Sequence, residues 1–163
     1  MRSSLKLALL ALVIAPFALS AQRPATPAVQ VGEEEWPGTF SIIGFDPVTG
    51  EVGAAVQSRV FSVGNGVLWA EAGVGAVATQ AAVDVGYGPR GIELLKQGMA
   101  PKAIIEKILA DDPDAGAFRK AGRQFAVMNA KGELAAHTGP SAPAESGDAQ
   151  GKYCTAQGNT LGR

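Results

Sequence analysis

Between Thr39 and Ser58 the chain carries two strand-like apolar runs, TFSIIGF and EVGAAVQS, on either side of DPVTG. Proline in the second position of that connector and glycine at its end suit a tight turn, so the segment predicts a β-hairpin. VLWAEAGVGAVATQAAV, Val67 to Val83, has no charge after Glu71 and predicts a β-rich stretch covered on both faces. Tyr87-Gly88-Pro89-Arg90 then opens a helix with Ile92, Leu94 and Leu95 on its apolar side and Gly98 at its C-terminal stop. Pro101 opens a second helix, in which Ile104, Ile105, Ile108 and Leu109 form the apolar stripe and Asp111-Asp112-Pro113 marks the end. RQFAVMNAKGELAAHTG predicts another hairpin, turning between Asn129 and Gly132. Pro140 to Gly151 is rich in Ser, Ala, Gly and Pro and reads as loop, after which YCTAQGNTLG resumes an ordered pattern. Strands, then helices, then strands predict an α+β fold, mainly antiparallel, with helices packed on the sheet.

The first 38 residues have a different texture. MRSSLKLALLALVIAPFALSAQ combines Arg2 and Lys6 with an apolar run from Leu5 to Leu19 and the small residues Ser20 and Ala21. That is the layout of a secretory signal peptide, and the run is short for a membrane span. Residues 1–21 are therefore expected to be a signal peptide and residues 22–38, with three prolines and three consecutive glutamates, a linker or pro-segment. The domain proper is expected over 39–163, in a periplasmic or secreted bacterial protein.

Composition narrows the chemistry mainly by exclusion. A net charge of −1 with 18% charged residues points neither to nucleic acid nor to a charged membrane surface. Cys154 is the single cysteine, so there is no internal disulfide and no multi-cysteine metal site. Walker A, HExxH and CxxC patterns are all missing, and GVGAVA lacks the third glycine of a dinucleotide fingerprint. No metal and no cofactor is expected. His137 is the only histidine, and no G-x-S-x-G elbow supports a serine triad around it. One chemistry needs none of these motifs. A threonine at a mature N-terminus attacks with its hydroxyl while its own α-amine, of pKa about 7.7–8.0, takes the proton.

TFSIIGFDPVTGEVGAAVQSR, WAEAGVGAVATQA, YGPRGIELL, AAHTG and AQGNTL follow one another as they do in the DUF1028 family, which this chain resembles from Thr39 to its end. That family is similar to the Ntn (N-terminal nucleophile) hydrolases, the superfamily of proteasome β-subunits and penicillin acylase. The resemblance implies an αββα sandwich, here C-terminally truncated because the family continues beyond AQGN. It also implies an amide (C–N) hydrolase acting on a small-molecule or peptide amide. Thr39 is the implied nucleophile, exposed only if Gly38–Thr39 is cut. Ser58 and Arg59 are expected to tune it, and the Thr79-Gln80-Ala81 segment to supply an oxyanion donor through the Gln80 region. His137 and Asn159 are expected in the substrate pocket. After H-T-G the family carries a segment with cysteine and tryptophan, where this chain has Pro140-Ser141-Ala142-Pro143-Ala144-Glu145.

The alternative is a non-catalytic envelope binding module that keeps the fold. Neither reading implies a nucleic-acid partner, or a membrane once the leader is removed. A homo-oligomer is expected as an option, because a truncated sandwich leaves an apolar face exposed. N-terminal mass spectrometry of the protein secreted from a bacterial host should find the leader removed near residues 20–22 and no membrane-embedded form starting at Met1.

Overall fold

A computed structural model of the chain describes residues 38–116 and 118–161; the signal-peptide and linker expectations lie outside them. The predicted first hairpin is present as β1 (Thr39–Phe45) and β2 (Val52–Gln57), paired from Phe40↔Gln57 to Phe45↔Val52. Its turn is fastened by Asp46, whose Oδ1 accepts the Val48 N–H at 2.8 Å, and is closed by Gly50 at φ +76°.

A short helix, α1 (Gly64–Val67), leads into β3 (Leu68–Glu71) and β4 (Gly75–Ala81). The apolar run from Val67 to Val83 is thus a hairpin, not a single strand, and Gly75 to Gln80 are buried as a doubly covered strand requires. Helices α2 (Tyr87–Lys96) and α3 (Pro101–Asp111) follow, with Gly98 at φ +79° just past the first and Pro101 as the first residue of the second. A 3₁₀ turn (Lys120–Gly122) precedes β5 (Arg123–Asn129) and β6 (Leu134–Thr138). Their turn is tied by Asn129 Oδ1, which accepts the N–H groups of Lys131 and Glu133 at 2.9 and 3.0 Å.

The segment Pro140–Gly151 departs from its expectation of loop, because Gly147–Gln150 is a strand, β7, antiparallel to β8 (Cys154–Asn159). GDAQ has no apolar alternation to betray it. All four of its residues are exposed, and pairing to β8 makes it a strand where propensity does not.

The strands form two antiparallel sheets, β2-β1-β8-β7 and β3-β4-β5-β6. One face of the second sheet carries α2 and α3 over Val77, Phe125 and Val127, packed on Ile92, Leu95, Ile104 and Ile108. Its other face meets the first sheet across a core of Ile43, Ala76, Ala78, Ala126 and Met128. The fold is therefore α+β with helix, sheet and sheet stacked as layers. Ala76, Ala78 and Ala126 give the second sheet small side chains on this side, filled by Ile43 and Met128. The described residues cover the outer face of the first sheet only in part: Leu161 packs over Gly158, while Phe40 and Ile42 are each nearly half exposed beside a shallow trough of about 690 Å³.

YGPRG, the compact motif at the start of α2, serves packing. Tyr87 is fully buried and donates to the Asp112 carboxylate, and Arg90 pairs with Asp111 at 3.2 Å. A methyl group on Gly88 would collide with the Trp69 indole, and one on Gly91 would lie 2.8 Å from Val77 Cγ2. Both glycines allow the helix to sit flat on the sheet. That tight fit has a cost, since Trp69 Nε1 is buried without a hydrogen-bond partner among the described residues.

Asp112 is the charged centre of this layer. Its Oδ2 accepts Arg123 Nε at 3.0 Å as well as the Tyr87 hydroxyl, and its Oδ1 accepts the Asp114 N–H at 2.7 Å. Burial works to raise its pKa, but these hydrogen bonds and the Arg123 charge outweigh it and hold the carboxyl at about 2, below the ordinary 3.8. Tyr87 is pushed above its ordinary value by burial and by the same carboxylate. Because the folded pKa of Asp112 lies below the unfolded one, its stabilisation is complete above about pH 4 and is lost as pH falls towards 2. Asp112→Asn should cost about 3 kcal/mol in urea melts at pH 7, by leaving buried Arg123 with only Asp84, 3.9 Å away, as counter-charge, and the gap from the parent should narrow between pH 4 and pH 2.

Candidate functional site

Along β1 the side chains alternate, so Thr39, Ser41 and Ile43 face the second sheet while Phe40 and Ile42 face outward. From Ile43 onward the inter-sheet layer is apolar. Toward Thr39 it turns polar, and this end is the candidate site. Thr39 Oγ1 lies 2.7 Å from Ser58 Oγ, just past the end of β2, and Ser58 Oγ also accepts the Val60 N–H at 3.1 Å. The structure thus brings together the two hydroxyls that the sequence pointed to.

Gly38, immediately before Thr39, is buried. A methyl group there would overlap the main-chain carbonyls of Asn159 and Thr160, so the backbone passes where only glycine fits. β1 is flanked on this side by β8 in the register Thr39↔Asn159, and Thr160 turns away at φ +52°.

Gln80 reaches Thr39 from the opposite sheet. Its Nε2 donates to Gln124 Oε1 at 2.9 Å, to the Gln157 carbonyl at 3.2 Å and to the Thr39 carbonyl at 3.3 Å. Its Oε1 accepts Ser41 Oγ at 2.7 Å. The Gln80 side chain is thus committed to holding β1 and β8. The oxyanion expectation concerns backbone N–H groups of this segment, and there β4 outruns β3: the last β3 pair is Leu68↔Ala78. The Gln80 N–H points towards β5, so on the β3 side it is the Ala81 end of β4 that has no partner strand. Ala81 ends the strand at φ +64°, a conformation that costs a non-glycine residue about 1–2 kcal/mol. The following Ala82 is held by its N–H to the Gly122 carbonyl and by its own carbonyl to Arg123 NH1.

The remaining expected residues are dispersed. Asn159 is buried, but its Nδ2 donates to Gln124 Oε1 at 3.1 Å and its Oδ1 accepts Thr160 Oγ1 at 3.2 Å, so its side chain belongs to the hydrogen-bonded layer between the sheets. Arg59 is exposed and makes no ion pair with a described residue. His137 lies on the helix side of the second sheet, edge-on to Phe125 at 5.9 Å between ring centres, whereas Thr39 looks onto that sheet's other face. Burial lowers its pKa, against a smaller upward pull from Asp148, so the imidazole is neutral near pH 7.

Sequence reasoning missed Gln124, Gln157 and Ser41. Gln124 is fully buried; its Oε1 serves Gln80 and Asn159, and its Nε2 donates to Thr138 Oγ1 and to the carbonyls of Gly147 and Gly158 at 2.8–3.0 Å. Gln157 Nε2 donates to Ser41 Oγ at 2.6 Å. The available signal was an amide at an inward position of an otherwise apolar strand, as in GAVATQA and RQFAVMN. Among the described residues no cluster of His, Cys, Asp and Glu is placed to hold a metal ion.

Gly38→Ala should force the segment entering β1 off the Asn159 and Thr160 carbonyls. Hydrogen exchange should show lost protection at Thr39 and Phe40, with a stability loss of about 1–3 kcal/mol by thermal melting.

Residues 39–163 match the family described as DUF1028, a family of unknown function. The crystal structure of a DUF1028-family protein from Silicibacter pomeroyi is similar at 32% identity and a TM-score of 0.70, over 77% of this chain and 54% of that one. This chain therefore spans about half the length of that relative. Among curated proteins none matches. Matched over nearly all of its described residues, the chain belongs to the DUF1028 family.

Proposed function

We propose that this protein is an exported Ntn-type amide hydrolase whose nucleophile is Thr39, freed by scission of Gly38–Thr39. The observation that carries the reading is the Thr39 Oγ1 to Ser58 Oγ contact of 2.7 Å, next to a buried Gly38. A buried peptide bond is closed to an outside protease, so the cut is made from within. The Thr39 hydroxyl oxygen attacks the Gly38 carbonyl carbon, the C–N bond to Thr39 breaks, and the hydroxyl proton passes to the departing nitrogen. Water then splits the ester, leaving a Gly38 carboxylate and a Thr39 with both amine and hydroxyl free.

In the mature site the amine takes the proton of the Thr39 hydroxyl as that oxygen attacks a small-molecule or peptide amide. Ser58 holds the hydroxyl, and the Ala81 N–H, at the end of β4 beyond its pairing with β3, is offered to the oxyanion, a donor worth about 3 kcal/mol. His137, on the far face of its sheet, takes no part in this scheme. The helix, sheet and sheet layers also suit three of the four layers of an αββα sandwich.

The test is mass spectrometry of the mature N-terminus together with turnover of a panel of p-nitroanilide amides. Thr39→Ala should leave Gly38–Thr39 intact and lower turnover by about a thousandfold or more, while Thr39→Ser retains part of both. His137→Ala should change turnover by less than about threefold. Turnover by an uncut chain, or a larger loss from His137→Ala than from Thr39→Ala, would overturn the reading in favour of the histidine. A folded, uncut and inactive protein would leave the binding-module alternative.

A further inference from the structure

We propose that Gln80 is the positioning residue of the Thr39 site, acting through the Thr39 carbonyl; the inference rests on the reading of Thr39 as nucleophile. Once Gly38–Thr39 is severed, Thr39 has no peptide on its N-terminal side to fix its torsions. Its ladder pairing with Asn159, its hydroxyl contact with Ser58 and the bond from Gln80 Nε2 to its carbonyl at 3.3 Å are what remain. The carbonyl bond is the one that joins it to the facing sheet. The direction of that carbonyl sets the torsion about the Cα–C bond, and so the placing of amine and hydroxyl relative to the Ala81 end of β4.

The Gln80 amide suits this task because it cannot rotate. Its Oε1 is held by Ser41 Oγ at 2.7 Å, and its Nε2 faces three acceptors, on Thr39, Gln124 and Gln157. Turning it over would set an oxygen against three oxygens and leave Ser41 facing an NH₂. The next link is equally fixed. Gln124 presents its Oε1 to the Gln80 and Asn159 amides and its Nε2 to Thr138 Oγ1, the Gly147 carbonyl and the Gly158 carbonyl, so its orientation is dictated as well. Two buried amides in series thereby transmit the placement of β5 and β8 to the first residue of β1.

Gln157 supplies a matched control. It is buried in the same layer, but its side chain bonds Ser41 and Thr155, not Thr39; it touches Gln80 directly only with a main-chain carbonyl that survives substitution, and its side chain reaches Gln80 one step removed, through Ser41. A purely structural role would make Gln80→Met and Gln157→Met equivalent at equal loss of stability. Positioning would not.

The experiment uses the full chain with ¹³C-methyl-labelled threonine and follows Gly38–Thr39 scission by mass spectrometry, the Thr39 methyl resonance by NMR, and the melting temperature. Gln80→Met should slow scission about tenfold or more and broaden or split the Thr39 methyl line. Gln157→Met, for a similar fall in melting temperature, should leave scission within about twofold and the line single. If Gln80→Met does not fold, Gln80→Asn, whose amide stops a methylene short of Thr39, takes its place with the same expected outcomes. Equal slowing by the Gln80 and Gln157 variants, or an unchanged Thr39 line in the Gln80 variant, would overturn the proposal. Should the parent chain fail to cut, the nucleophile reading falls, and the methyl line still decides whether Gln80 positions Thr39.

Discussion

Two apolar sheets packed face to face have no strong reason to prefer one sliding position over another. Here the choice is made by the Gln80 amide. From the second sheet it donates to the Thr39 and Gln157 carbonyls of the first and accepts from Ser41, while Gln124 beside it donates to Gly147 and Gly158. Each such group left unpaired in a buried layer costs about 1–3 kcal/mol, so a shift of the sheets by one residue would break several bonds at once. The apolar end of the sandwich contributes cohesion, and the amide end contributes register. Thr39 sits where that register is most tightly specified.

The helices, the two tight hairpins and the α+β class were legible because each rests on local chemistry. Asp46 and Gly50 make one turn, Asn129 and Gly132 another, and Gly98 and Pro101 punctuate the helices. What escaped was everything decided at a distance. β7 is a strand because β8 lies beside it, and nothing in GDAQ says so. His137 was expected in the pocket from the family resemblance, but the period of two along β6 turns it to the helix side, while Thr138 faces Gln124. Asn159 was expected to face a substrate and instead spends its amide on Gln124. Thr39 and Ser58 met as anticipated because a hairpin brings the start of one strand to the end of the next.

The motifs that carry the family resemblance also separate into two kinds. YGPRG is explained by packing: a core tyrosine, two glycines pressed against Trp69 and Val77, and a surface ion pair. The Gln157 and Asn159 of AQGN belong to the amide layer and reach the candidate site through it. In this chain the first kind serves the scaffold, and the second holds the start of β1.

The strand order has a consequence for how the chain reaches this state. β1 pairs on one side with β2, its immediate successor, and on the other with β8, so that Gln157 and Ser41, joined by a hydrogen bond, lie 116 residues apart. During synthesis the first hairpin closes early, but its inner edge stays open until β8 has emerged, the Ser41–Gln157 separation of 116 residues later. Until then Ser41 and Gln80 lack partners that only β8 supplies. The second sheet and its helices, built from contacts close in sequence, have what they need to assemble ahead of it. Closure of the first sheet is therefore a late, high-contact-order step, and Thr39 acquires its surroundings only when that step is finished.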